Sequence, residues 1–132
     1  METVPTDREL EALKVLWRRG EATVREIYDE IKEGGPALAY TTVLSLLQVM
    51  EQKGLVGHRR AGRAYVHFAR VQREATFREL AGGFLQRVFD GAVDEYLVHA
   101  LRSRRISPAE LDRLEKMIAE AKIESKPRRE KR

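Results

Sequence analysis

Residues 38–69 read LAYTTVLSLLQVMEQKGLVGHRRAGRAYVHFA. The first half has helical periodicity. Val43, Leu46, Leu47 and Met50 fall on one stripe, at the spacing of residues turned toward a core. Thr41, Ser45, Gln48 and Gln52 fall on the opposite stripe, and residues 34–50 carry no charge at all. A helix is predicted over 40–53, stopping at Gly54, where a residue free to take a left-handed backbone suits a helix end. The second half alternates. Ala64, Val66 and Phe68 lie on one face, Tyr65 and His67 on the other, so two strands are predicted over 55–60 and 63–69. Ala61-Gly62 is a poor two-residue turn, because Ala would need positive φ. A three-residue turn with Gly62 as its left-handed bulge residue is predicted instead.

Charge separates the two halves. Residues 52–73 hold six Lys or Arg and no Asp or Glu. A neutral polar helix face followed by a basic strand pair suits a module that reads duplex nucleic acid. The helix enters a groove and the hairpin holds phosphates.

Outward from this stretch the chain is helical. Thr6-Asp7-Arg8-Glu9 and Thr23-Val24-Arg25-Glu26 are capping boxes, each opening a helix with one apolar face. Gly20 ends the first helix, and Gly34-Gly35-Pro36 ends the second. Beyond the hairpin, apolar spacing predicts a helix over 72–90, a second with Val93, Tyr96, Leu97, Ala100 and Leu101, and a third opened by Ser107-Pro108-Ala109-Glu110. Three helices, a hairpin and three helices give a mainly α fold with a small β-hairpin. It reads as a winged helix-turn-helix DNA-binding domain, residues 1–70, and a C-terminal helical dimerisation domain, residues 71–124. A basic disordered tail, 125–132, is expected to follow.

Composition narrows the function. The chain has 132 residues and a net charge of +4. The last eight residues, SKPRREKR, supply that entire excess, so residues 1–124 are neutral and any phosphate affinity of the body depends on where its charges sit. The absence of cysteine excludes disulfides, thiolate metal sites and Cys nucleophiles. No apolar run approaches the ~18 residues of a membrane span, and the N-terminus lacks a signal-peptide pattern. A cytoplasmic location without membrane insertion is expected.

On the third helix, Tyr40, Thr41, Thr42, Leu44, Ser45 and Gln48 are the candidates for reading bases. Hydroxyls and amides exchange hydrogen bonds with base edges, and Thr methyls can touch thymine. A merely solvated face would carry Lys and Glu. Arg59, Arg60 and Arg63 on the hairpin are the candidates for phosphate or minor-groove contact, with no acidic residue beside them in sequence. His58, His67 and His99 are scattered and no carboxylate can be placed near them, so no metal or other cofactor is expected, and His58 and His67 are assigned to the exposed side of the wing. No nucleophile, phosphate-cradling loop or paired-carboxylate arrangement points to catalysis. Phe84, Leu85, Val88, Tyr96, Leu97, Leu101, Leu111, Leu114 and Ile118 form broad apolar stripes too small to make a stable core alone. A second copy would cover them, giving a homodimer. The competing reading is a winged-helix module that binds protein and never reads DNA.

The segments ELEALKVLWRRGEATVREIYDEI and AYTTVLSLLQVMEQKGLVGHRRAGRAYVHF resemble the BlaI/MecI-type penicillinase repressors, bacterial winged-helix transcription regulators. FLQRVFDGAVDEYLVHALRSRRISPAELDRLEKMI extends the likeness to about residue 118. The resemblance implies a homodimeric repressor on a double-stranded inverted-repeat operator, with the third helix in the major groove, the wing on the backbone and pairing through the helices after Val71. It also implies release by a membrane sensor-protease that cuts the dimerisation region. Resistance members are cut at an Asn-Phe bond, and the aligned bond here is His99-Ala100. Basic side chains of their reading helix are replaced here by Leu44 and Val49. A copper-responsive branch uses C-terminal cysteines, which this chain lacks.

Overall fold

The computed structural model describes residues 4–35 and 38–126. Pro36 and nearly all of the expected tail lie outside those residues. The elements run α1 (Asp7–Arg19), β1 (Ala22–Thr23), α2 (Val24–Glu33), α3 (Tyr40–Gln52), β2 (Val56–Ala61), β3 (Ala64–Ala69), α4 (Arg73–Phe89), α5 (Val93–Arg102) and α6 (Pro108–Glu124). This is a winged helix-turn-helix followed by helices. The chain divides into two compact units between Phe84 and Leu85, inside α4.

Local chemistry fixes the helix ends. Thr6 and Thr23 each accept from the amide three residues on, while Glu9 and Glu26 reach back to the cap amides. Ser107 accepts from the Glu110 amide, with Pro108 starting α6. The end of α3 is closed by two paired bonds. The Leu55 amide donates to the Met50 carbonyl at 2.9 Å and the Gly54 amide to the Glu51 carbonyl at 3.0 Å. Gly54 has φ +82°, the left-handed residue this double closure needs. The closure turns the chain from α3 into the wing and buries Leu55 next to Met50 in the core.

In the first unit, α1, α2 and α3 pack their apolar faces together around Leu13, Leu16, Ile27, Val43, Leu47 and Met50, and Leu55 and Val56 close the core from the wing side. Basic groups at the end of α1 meet acids of α2: Arg18 pairs with Glu30, and Arg19 with Glu26 and Glu30. Trp17 donates its indole N–H to the Val71 carbonyl at 2.9 Å and meets Phe77 edge-on at 5.7 Å, which holds the start of α4 on this unit.

The sheet differs from the expected pair of strands. It has three antiparallel strands in the order β1-β3-β2. The added strand is two residues long, with Ala22 opposite His67 and Thr23 opposite Val66. The hairpin closes at Ala61↔Ala64, leaving Gly62 and Arg63 as a two-residue turn rather than the expected three. Gly62 has φ +64°, and Arg63 is not among the residues of positive φ. Glycine at the first central position is the type II′ pattern, whose twist matches the strands. Ala61 thus avoids the strained backbone by belonging to the strand.

One buried ion pair ties α1 to the end of α3. Glu9 is 2% exposed. Its carboxylate accepts from Lys53 Nζ at 2.8 and 3.0 Å and from the Thr6 amide at 2.9 Å. Burial alone would push the Glu9 carboxyl up, but Lys53 and the Thr6 amide outweigh it and hold the group below its usual range. A carboxyl lowered in the folded state adds stability above its unfolded value, about 4.3, and loses it as pH falls through the folded value. The stability gap between wild type and Glu9→Gln is therefore expected to narrow in urea melts below about pH 4.5. A gap that stays constant from pH 7 to pH 3 would exclude this linkage.

The second unit has a different character. Among its described residues none is fully buried. Asp90 (φ +52°) and Gly91 (φ +85°) reverse the chain between α4 and α5, and Phe89 meets Tyr96 at 5.6 Å. Leu97 and Leu101 of α5 face Leu111, Leu114, Met117 and Ile118 of α6 across an open groove of about 570 Å³.

Candidate nucleic-acid interface

α3 buries Val43, Leu47 and Met50 and presents its other side to solvent. Tyr40, Thr41, Thr42, Leu44, Ser45 and Gln48 are all exposed on that outer side, with Val49. The face is uncharged because its polar groups are hydroxyls and amides. Ala39 caps the helix without a side-chain hydrogen bond and the first turn has no acid, so the positive end of the helix dipole is uncompensated. Arg25 of α2 lies over the rings of Tyr28 and Tyr40 at 5.7 and 5.1 Å, bringing a cation to that end. Sequence reading missed Arg25, because the contact joins two helices.

The three wing arginines have different environments. Arg59 is clamped by Glu21, its Nε and Nη2 donating to the carboxylate at 2.7 and 2.6 Å. Arg59 in turn holds the Glu21 carboxyl below the usual carboxylate range. The acid-free neighbourhood expected from the sequence is therefore corrected in space. Glu21 lies 38 residues away along the chain but beside the wing. Arg60 donates to the Gly62 carbonyl at 3.2 Å and stacks 5.7 Å from the Tyr65 ring. Arg63 occupies the turn itself. Among the described residues neither Arg60 nor Arg63 has a carboxylate partner.

The histidines also depart from expectation. His58 is exposed, but His67 is only 8% exposed. His67 lies on the central strand, β3, and faces a cleft lined also by Leu44, Gln48 and Gln52 of α3. A carboxylate does lie nearby: Glu51, in the last turn of α3, approaches His58 Nδ1 at 2.5 Å. Burial pushes the His67 imidazole below the ordinary histidine range, with His58 adding to the shift and Glu51 opposing it. These groups line a cleft shared with Val24, Leu44, Gln48, Gln52 and Tyr65, next to the exposed face of α3.

His99 and Ala100 lie inside α5, with the His99 ring 5.6 Å from Phe89. Of the residues expected to pair two copies, Phe84, Val88, Tyr96, Leu101, Leu111 and Ile118 are exposed, while Leu85, Leu97 and Leu114 are partly covered. No helix among the described residues is long and apolar enough to cross a membrane.

The profile of the penicillinase repressor family matches residues 5–120. The chain belongs to that family. The family is one of repressors rather than enzymes, and this member carries the winged helix-turn-helix that its sequence predicted. The penicillinase repressor of Bacillus licheniformis is 24% identical over 128 residues, covering 96% of this chain and 99% of the relative. Among solved structures, the DNA-binding domain of the repressor BlaI is similar at 25% identity, over 55% of this chain and 90% of that one, with a TM-score of 0.48. Monomeric Bacillus licheniformis BlaI in complex with the blaP half-operator is similar at 25% identity, over 56% and 92%, with a TM-score of 0.47.

Proposed function

We propose that this penicillinase-repressor family member blocks transcription as a homodimer on an inverted-repeat DNA operator. The observation that carries the reading is the outer face of α3: uncharged, mainly polar and exposed along its length, with Arg25 at its start. Residues 1–70 bind DNA and residues 71–124 pair the copies. Tyr40, Thr41, Thr42, Leu44, Ser45 and Gln48 read base edges in the major groove. Arg60 and Arg63 take phosphates from the wing tip, and Arg25 takes one at the start of α3. Arg59, committed to Glu21, sets the root of the wing.

Pairing is inferred from the second unit, among whose described residues none is fully buried. A second copy laid over the exposed stripe of Val88, Tyr96, Leu101, Leu111 and Ile118 removes that surface from water. A membrane sensor-protease releases the repressor by cutting this region. The aligned bond, His99-Ala100, lies within a regular helix, so cutting requires α5 to open locally first.

A gel shift on the promoter of the protein's own gene, with and without competitor DNA, tests the reading. Arg63→Ala is expected to weaken specific and scrambled DNA alike, whereas Gln48→Ala relaxes preference by roughly 1–3 kcal/mol at one base step. Identical behaviour of both variants on both DNAs would overturn the assignment of α3. The absence of any sequence-selective band would favour a protein-binding wing.

A further inference from the structure

We propose that Glu51, His58 and His67 form a binding site for one divalent transition-metal ion of the zinc type, joining the end of α3 to the wing. The three residues come from three elements that the fold brings together. Glu51 lies in the last turn of α3, His58 on β2 and His67 on β3. His58 and His67 are directly opposed across the hairpin, so their side chains leave the same face of the sheet. Their ring centroids are 5.7 Å apart. One ligand atom from each of the three residues lies within 4.8 Å of the others. Zinc bonds of about 2.0–2.1 Å place tetrahedral ligands roughly 3.4 Å apart, so the site forms by side-chain rotation that opens the 2.5 Å contact of Glu51 with His58 and draws His67 closer.

An ordinary ion pair between Glu51 and His58 would leave His67 unexplained. His67 is more than nine-tenths buried, and its Nδ1 is buried without a hydrogen-bond partner among the described residues. A buried imidazole nitrogen left in that state costs free energy that a bonded partner would restore. A metal ion beside His58 and Glu51 is such a partner. Two imidazoles and one carboxylate suit zinc and its transition-metal neighbours, whereas magnesium and calcium favour all-oxygen sets. Three protein ligands leave one coordination position open. The cleft holding them is lined also by Leu44, Gln48 and Tyr65.

The test uses the full chain, stripped with chelator and titrated with zinc against a chromophoric competitor. One zinc per chain with micromolar or tighter affinity is expected. His58→Ala and Glu51→Gln remove ligands with half-exposed side chains, so both variants keep the fold, which circular dichroism checks. Each is expected to weaken zinc by at least about tenfold, since even groups that only orient a ligand cost ten- to a hundredfold. His99→Ala, in α5, leaves the affinity unchanged. Absence of saturable binding by the wild type would overturn the site, and so would wild-type affinity in folded His58→Ala.

Discussion

Raising salt from about 50 to about 200 mM is expected to weaken operator binding roughly a thousandfold. If Arg25, Arg60 and Arg63 each neutralise one phosphate as proposed, a pair of copies displaces counterions at six. The logarithm of affinity then falls against the logarithm of salt with a slope near −5. Fluorescence anisotropy across four salt concentrations measures the slope. Arg63→Ala removes one phosphate contact per copy, so the slope of the pair becomes shallower by about two. Residues 1–124 are neutral in sum, so within them this dependence is local to the wing and the start of α3. A slope shallower than about −2 would exclude phosphate contact by these groups.

Leu47→Ala is expected to destabilise the first unit by about 3–4 kcal/mol. Leu47 is fully buried at the middle of α3, and such truncations lose both transfer energy and packing around the cavity left behind. A unit of this size is stable by roughly 4–12 kcal/mol in all. With a urea dependence of about 1 kcal/mol per molar, the midpoint should fall by about 3 M. Leu44→Ala, one turn away on the exposed face, should shift it by less than about 1 M. Equal shifts would mean the helix is rotated from the orientation described. DNA binding by Leu47→Ala should fail only where the unit unfolds, whereas Leu44→Ala should alter binding while folded.

The parts of this fold written in local chemistry were legible from sequence. Thr6 with Glu9, Thr23 with Glu26 and Ser107 with Pro108 announce their helices within four residues, and Gly54 announces the end of α3. What escaped depends on residues far apart. β1 is two residues long, and only its pairing with His67 and Val66 makes it a strand. Glu21 meets Arg59 across the fold, so no reading of neighbours could pair them. The hairpin register carried one more consequence. His58 and His67 each stand three residues from the Ala61↔Ala64 pair that closes the turn. Reading Gly62-Arg63 as a type II′ turn would have set them opposite one another. The three-residue turn expected from Ala61-Gly62 hid that opposition. Glu51 was within reach of sequence reasoning too, since a helix ending at Gly54 delivers its last turn to the start of the wing.

If two copies pair as proposed through the second unit, of whose described residues none is fully buried, the amount of protein in the cell becomes a control variable. Where copies are mostly single, halving their number by one cell division cuts the paired form about fourfold, because pairing follows the square of concentration. A growing lineage that stops making the protein would lose repression faster than it loses the protein itself, and gene dosage would set how long the silence lasts.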